Sequence, residues 1–349
     1  MLIKNLIREN IKSLEAYSSA RDEFKDMSSA FIFMDANENP FETGLNRYPD
    51  PQQNLVKEVL SKIKGVSKDQ ILLGNGSDEV LDLIFRVFCE PREDSVIVLP
   101  PTYGMYEVLA KMNDIKLITI PLLDNFQPNT KEVLKVQNTN TKVLFLCSPN
   151  NPTANSFDAN RIETLLNEFN GIIVIDEAYI DFSIEDSWLA RLDEFPNLIV
   201  TQTLSKAYGL AGIRLGICYA SQEIISILNK IKPPYNVNQL TQDVALKALL
   251  NTGEVNNQIT AITSERNQLI KDLEKLDVVD KVYTSDANFL LVKVDNATLR
   301  YNQLLNKGIV VRNRSNQMLC ENCLRFTIGT KSENEELLKV LNELTIDNG

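Results

Sequence analysis

Short apolar runs recur along the middle of the chain. Each is followed by a polar turn and then by a stretch in which apolar residues return every three or four positions. The runs are Gln70–Leu73, Ser95–Leu99, Lys116–Ile120, Val143–Cys147, Gly171–Ile175, Leu198–Thr201 and Leu215–Tyr219. Several are apolar at consecutive positions, as in strands covered on both faces. Between them, Asp78–Phe88 and Asp158–Asn170 carry helical spacing. This alternation predicts an α/β domain: a mainly parallel seven-stranded sheet flanked by helices.

From Lys230 the texture changes. Ile231-Lys-Pro-Pro-Tyr235 reads as a hinge. A long helical region is expected from Asn238 to Leu276, interrupted near Gly253. Strand-like pieces follow at Tyr283, Asn288–Val294, Gly308–Arg312 and Leu324–Thr327, and then a closing helix, Glu333–Leu344. These form a smaller α+β domain. The first 45 or so residues lack the strand-helix rhythm and fit against either domain; the expected organisation is an N-terminal arm over residues 1–45, assigned to pack with the small domain and a partner, a large domain over 46–235, and a small domain over 236–349.

Composition narrows the chemistry. The 349 residues include no histidine, which removes Ser-His-Asp and Cys-His mechanisms and imidazole metal sites. A net charge of −11 disfavours nucleic acid and anionic membrane as partners. Five cysteines, with no signal-peptide core and no long apolar run, fit a cytoplasmic protein with reduced thiols. Cys320 and Cys323 form a CxxC, but no second pair exists to complete a zinc site, and no metal is expected.

In a parallel sheet, ligands sit beyond the carboxyl ends of the strands. After the first run comes Gly74-Asn-Gly76-Ser77-Asp78-Glu79, a glycine turn entering a helix. Such a turn suits a phosphate, although Ser77 or Asp78 also suits an N-cap. After the second comes Pro100-Pro-Thr-Tyr103-Gly-Met-Tyr106, where Tyr103 is placed to stack on a flat ring or to join the core. Ser148-Pro-Asn-Asn151-Pro-Thr153 follows the fourth run, and Asp176-Glu-Ala-Tyr179 the fifth. An acid ending a buried strand needs a partner or a cationic ligand. Thr203-Leu-Ser205-Lys206 and Arg214 follow the sixth.

One cofactor uses all of these groups. Pyridoxal 5′-phosphate needs an amine for its aldehyde, a carboxylate for its ring nitrogen, donors for its ring oxygen, a stacking ring and a phosphate cup. Lys206, Asp176, Asn151 with Tyr179, and Tyr103 supply the first four. Ser205 and Arg214, with the Gly76–Asp78 turn, supply the last.

With these motifs the chain resembles the fold-type I pyridoxal-phosphate aminotransferases, and within them the histidinol-phosphate aminotransferase family. The matching segments are Tyr17–Arg21, Asp35–Pro40, Asn46–Pro49, Pro100–Tyr106, Cys147–Thr153, Asp176–Ile180, Thr203–Gly216 and Cys323–Thr330. The resemblance implies that Lys206 carries the cofactor covalently and moves the substrate proton, and that Asp176 faces the ring nitrogen. It places Asn151 and Tyr179 at the ring oxygen and Tyr103 on the ring. Gly76, Ser77, Asp78, Thr203, Ser205 and Arg214 fall around the phosphate, joined by Tyr48 of a second subunit in a homodimer with shared sites. Arg325, helped by Arg312, Tyr17 and Asn151, would bind the substrate anion. The implied reaction converts L-histidinol phosphate and 2-oxoglutarate to imidazole acetol phosphate and L-glutamate, in L-histidine biosynthesis. Transamination of aromatic amino acids and decarboxylation of threonine phosphate are the alternatives within the same fold. One departure is Ala154, where the family usually has a glycine able to take positive φ.

Overall fold

The computed structural model describes residues 3–17 and 32–346. Ser18–Arg21 of the Tyr17–Arg21 segment, and the rest of the arm to residue 31, lie outside the described residues.

Each expected run is a strand: β1 Ile71–Asn75, β2 Ser95–Val98, β3 Lys116–Thr119, β4 Thr141–Cys147, β5 Ile172–Asp176, β6 Leu198–Thr203 and β7 Leu215–Ala220. They form one sheet in the order β1-β7-β6-β5-β4-β2-β3. β3, β2, β4, β5 and β6 are mutually parallel, and β7 runs antiparallel between β6 and β1.

Alternation along each strand divides the apolar side chains between two layers. Ile71, Leu73, Leu144, Leu146, Ile173, Ile175 and Val200 face one core, which receives Val56 and Leu60 of the Asn54–Lys64 helix and Leu165 of the Ala159–Glu168 helix. Leu72, Val143, Phe145, Ile172, Val174 and Ile199 face the other, against the Ser77–Phe88 and Gln222–Ile231 helices. The Ser77–Phe88 helix buries Val80, Leu81, Leu83, Ile84, Phe85, Val87 and Phe88, so it is anchored along its length and its N-terminus is held firmly at the sheet edge.

The smaller unit is a four-stranded antiparallel sheet, β10-β11-β9-β8, formed by Arg312–Asn313, Cys323–Thr327, Phe289–Val294 and Val279–Val282. Its core contains Leu290, Val292, Leu324, Phe326, Leu269 and Leu341, which join the sheet to the Thr252–Leu273 and Lys331–Ile346 helices.

Several expectations are corrected. The expected strand at Gly308–Arg312 shrinks to Arg312–Asn313, because Gly308 at φ 83° terminates the Ala297–Asn306 helix and the Ile309 N–H turns back to the Leu304 carbonyl. The expected strand at Tyr283 ends at Val282. The long helical region is interrupted near Gly253 as expected, at Asn251, and Gly253 itself sits inside the first turn of the second helix. The arm was expected to pack with the small domain. Ile3, Leu6, Ile7 and Ile11 instead pack in the large domain beside the Ser77–Phe88 helix, and Arg8 pairs with Glu90. Val237, Ala245 and Leu249, expected in the small domain, belong to the large core. Among the described residues, no helix is long and apolar enough to cross a membrane.

Candidate active site

The carboxyl ends of β4, β5 and β6 lie side by side, with Cys147 opposite Asp176 and Asp176 opposite Thr201. Because β7 is antiparallel, its beginning lies at this same end, and Arg214, just before Leu215, arrives beside Gly76 from a distant part of the chain. One cleft is lined by Ser77, Asp78, Tyr103, Asn151, Asp176, Tyr179, Thr203, Ser205, Lys206 and Arg214. These are ten of the expected cofactor residues, gathered from five loops.

The floor of the cleft is Asp176. It is buried, and burial pushes its pKa above the ordinary carboxylate value. Three hydrogen bonds oppose this. The Tyr106 hydroxyl donates to Oδ2 at 2.8 Å, the Thr201 hydroxyl to Oδ1 at 3.2 Å and the Ala178 N–H to Oδ1 at 3.2 Å. Tyr106 is fully buried and stacks on Phe145. Sequence reasoning singled out Tyr103 in this segment and missed Tyr106. Tyr103 stands before the Met105–Met112 helix, whereas Tyr106 lies in its first turn and is buried beneath the cleft.

Lys206 opens into this cleft, its Nζ 5.5 Å from the centre of the Tyr179 ring. The surrounding protein lowers its pKa chiefly by desolvation, then through the Arg325 and Arg214 charges, while Asp176 and Asp78 pull the other way. A larger share of neutral amine results. The Asn151 amide donates to the Tyr179 hydroxyl at 3.2 Å, and the Asn151 Oδ1 accepts from Arg325 at 2.6 Å. Tyr103 is half-buried, meets Tyr106 edge-on and donates to Asp78 at 3.1 Å.

At the opposite end, Gly76 precedes the Ser77–Phe88 helix at φ 78°, and no side chain caps that helix. Neither Ser77 nor Asp78 serves as the N-cap, so the helix terminus keeps its N–H groups for an anion. The approach is tight. A Cβ on Gly76 would lie 2.7 Å from Arg214 Nη2, and one on Gly216 would lie 2.3 Å from the Gly76–Ser77 backbone. Arg214 itself holds a left-handed φ of 56°, the kind of strained backbone often found at binding sites. The Thr203 and Ser205 hydroxyls are 3.0 Å apart beside it.

This donor set fits pyridoxal phosphate. The amine, the buried carboxylate, the amide and phenol pair, and the uncapped helix with Arg214 match the cofactor's aldehyde, ring nitrogen, ring oxygen and phosphate in turn.

Arg325 enters from β11 in the small sheet. Its guanidinium lies 5.1 Å from the Phe289 ring centre, and burial, followed by Arg314 and Arg312, lowers its pKa. Arg312 is its direct cross-strand neighbour. Tyr48 and Tyr17 are not brought into this cleft. Tyr48 lines a separate surface pocket with Leu45 and Leu240 and stacks on Tyr235 at 4.5 Å, and Tyr17 is 75% exposed. Ala154 takes φ 69°, and its buried methyl packs with Tyr179, Phe182 and Phe289. That contact offsets the cost of a left-handed alanine. Cys320 and Cys323 are buried free thiols where the small sheet meets the large core.

Residues 28–341 match the family model for aminotransferase class I and II. The chain is 60% identical to a histidinol-phosphate aminotransferase of Flavobacterium johnsoniae over 97% of both chains. It is 61% identical to one of Christiangramia forsetii over 98% of both. Among solved structures, the histidinol-phosphate aminotransferase of Clostridium acetobutylicum shares the fold with a TM-score of 0.80 at 24% identity, covering 87% of this chain and 92% of that one. That of Sinorhizobium meliloti, solved in complex with pyridoxal-5′-phosphate, gives 0.77 at 22% identity, covering 87% and 84%. The chain therefore belongs to the class I and II aminotransferases and, within them, to the histidinol-phosphate aminotransferase family.

Proposed function

We propose that this chain transfers an amino group between L-histidinol phosphate and 2-oxoglutarate, giving imidazole acetol phosphate and L-glutamate, as a step of L-histidine biosynthesis. The observation that carries this reading is the 2.6 Å hydrogen bond from Arg325 to Asn151. It joins a cation of the small sheet, unpaired among the described residues, to the cleft that holds Lys206 and Asp176. A substrate whose anionic tail sits on Arg325 then has its amine end near Lys206. The planar guanidinium suits both a phosphate ester and a carboxylate, as the two half-reactions require, and Arg312 adds charge beside it.

When bound, pyridoxal phosphate would supply an aldehyde for the amino-group transfer and a ring able to accept electron density. Lys206 would hold the cofactor through its ε-nitrogen. Its neutral amine, when free, would take the proton from the substrate Cα at Nζ and return it, a positioned transfer worth ~10²–10⁴-fold. Asp176 would keep the ring nitrogen protonated. Asn151 and Tyr179 would orient the ring oxygen, Tyr103 would cover the ring, and Gly76, Ser77, Asp78, Thr203, Ser205 and Arg214 would hold the phosphate.

The same reading makes the active form a homodimer. Tyr48 stands outside the cleft of its own chain, in a surface pocket shared with exposed Leu45 and Leu240. From there it would reach the phosphate in a second copy, and Tyr17 would close over the substrate. A cytoplasmic location is supported by five unpaired thiols.

The test uses purified protein reconstituted with pyridoxal phosphate. Borohydride should fix the cofactor on the Lys206 peptide, and histidinol phosphate with 2-oxoglutarate should yield glutamate. Lys206→Ala should retain the fold and lose both. Full turnover in that variant, or an unmodified Lys206 peptide in the wild type, would remove the assignment.

A further inference from the structure

The small sheet places three arginines where two were expected. Arg312 on β10 stands directly opposite Arg325 on β11. Arg314 follows two residues later. Although it lies just past the strand, its N–H still bonds the Cys323 carbonyl at 2.8 Å, so the pairing of the two segments persists through it. In paired strands, opposite residues and those two apart along a strand share a face. Arg312, Arg314 and Arg325 therefore crowd one side of the sheet edge.

Like charges placed directly opposite destabilise a strand pair, and nothing in the described protein offsets them. Among the described residues, none of the three takes part in an ion pair, and the side chains of Arg312 and Arg314 make no hydrogen bond. Arg325 has one, to the neutral Asn151 amide. The Nε atoms of Arg314 and Arg325 and the hydroxyl of Ser315 are all buried without a partner. Burial, then Arg312, lowers the Arg314 pKa, with Tyr179 among the groups that act on it from the cleft wall. Arg314 in turn lowers that of Arg325. Buried donors of this kind cost free energy unless a ligand completes them.

We infer that Arg314 completes a phosphate-selective subsite around Arg325. A phosphate monoester carries three terminal oxygens and up to two negative charges. A carboxylate carries two oxygens and one charge, and a single guanidinium fork satisfies it. A third arginine therefore adds more to the phosphate ester than to the dicarboxylate that shares the pocket. Arg314 thus acts as a specificity-determining residue of the site, and the inference rests on the substrate pair proposed above.

The experiment compares wild-type holoenzyme with Arg314→Gln and Arg314→Lys, each first checked for bound cofactor by its visible absorbance. Arg314→Gln should lower kcat/KM for histidinol phosphate ~10-fold or more beyond any change for 2-oxoglutarate, the scale of one hydrogen bond to a charged group. The loss should fall mainly on KM, and Arg314→Lys should recover part of it. An equal fall for both substrates, or a change in neither, would overturn the inference. A second measurement uses inorganic phosphate as inhibitor of the holoenzyme with whichever amino donor it accepts. Wild type should be inhibited competitively and Arg314→Gln at least ~10-fold less strongly, while equal inhibition of the two counts against the subsite. Should histidinol phosphate prove inert while Arg314 still governs phosphate inhibition, only the substrate assignment falls.

Discussion

Asp176 shows how burial and hydrogen bonding are balanced at a single residue. Desolvation works against the charged carboxylate, and the Tyr106, Thr201 and Ala178 donors keep it ionisable and fixed in direction. Asp176→Asn keeps the volume and removes the charge proposed to face the ring nitrogen. Loss of one such preorganised electrostatic partner costs ~10²-fold or more in kcat. Steady-state assays of the folded, cofactor-loaded variant test this, and a near-normal kcat would mean that another group holds the ring nitrogen. Tyr106→Phe deletes one donor to a buried carboxylate without changing the packing against Phe145. It should destabilise the protein by ~1–3 kcal/mol, measured by urea denaturation of the apoprotein. An unchanged midpoint would show that the carboxylate finds a replacement donor.

At the level of elements, the proposed phosphate cup depends on the crossing of β7 with the turn before the Ser77–Phe88 helix. Gly216, paired with Gly74 across β1 and β7, approaches the turn beyond β1 so closely that no side chain fits, with its would-be Cβ at 2.3 Å from both the Gly76 carbonyl carbon and the Ser77 nitrogen. Gly216→Ala must push the turn away from Arg214. Overpacking of this kind costs ~1–3 kcal/mol, and a displaced turn should weaken cofactor binding, read from an absorbance titration of apoprotein with pyridoxal phosphate. Gly212→Ala is the control, since a Cβ there meets nothing within 4 Å. Equal affinity in the two variants would show that the close approach does not shape the cup. The sequence marked this region as a glycine turn entering a helix. It did not reveal that Gly216, separated from Gly76 by more than half of the large domain, sets the spacing.

Across the whole molecule, burial of ionisable groups near the site makes stability depend on pH. Glu177 is fully enclosed, and burial raises its pKa from 4.5 to about 7, against the opposing bonds from Ser187, Gln202 and Trp188. The folded chain therefore keeps a proton that the unfolded chain releases between those two values. Its stabilising effect is complete below about pH 4.5 and is lost as the pH rises through 7, amounting to ~3 kcal/mol if the whole shift is expressed. Urea denaturation across this range should give a falling free energy of unfolding, and Glu177→Gln should flatten the fall. The same slope in both proteins would assign it to other groups.

The apolar runs by themselves determined the seven strands and the two-layered cover of the large sheet, because a strand buried on both faces needs apolar residues at consecutive positions. The polar segments after those runs also determined most of the residues that line the cleft, since the ends of parallel strands converge. Tertiary structure alone decided which distant groups meet. Tyr106 lies under Asp176, Glu177 closes on the Ser187–Trp188 turn, Tyr48 sits away from its own cleft, and Arg314 stands with Arg312 beside Arg325. The physical reason is that side-chain periodicity tells which face a residue occupies but not which segment lies next to it. That neighbour is chosen by strand order and register, through hydrogen bonds and packing between residues far apart in the chain.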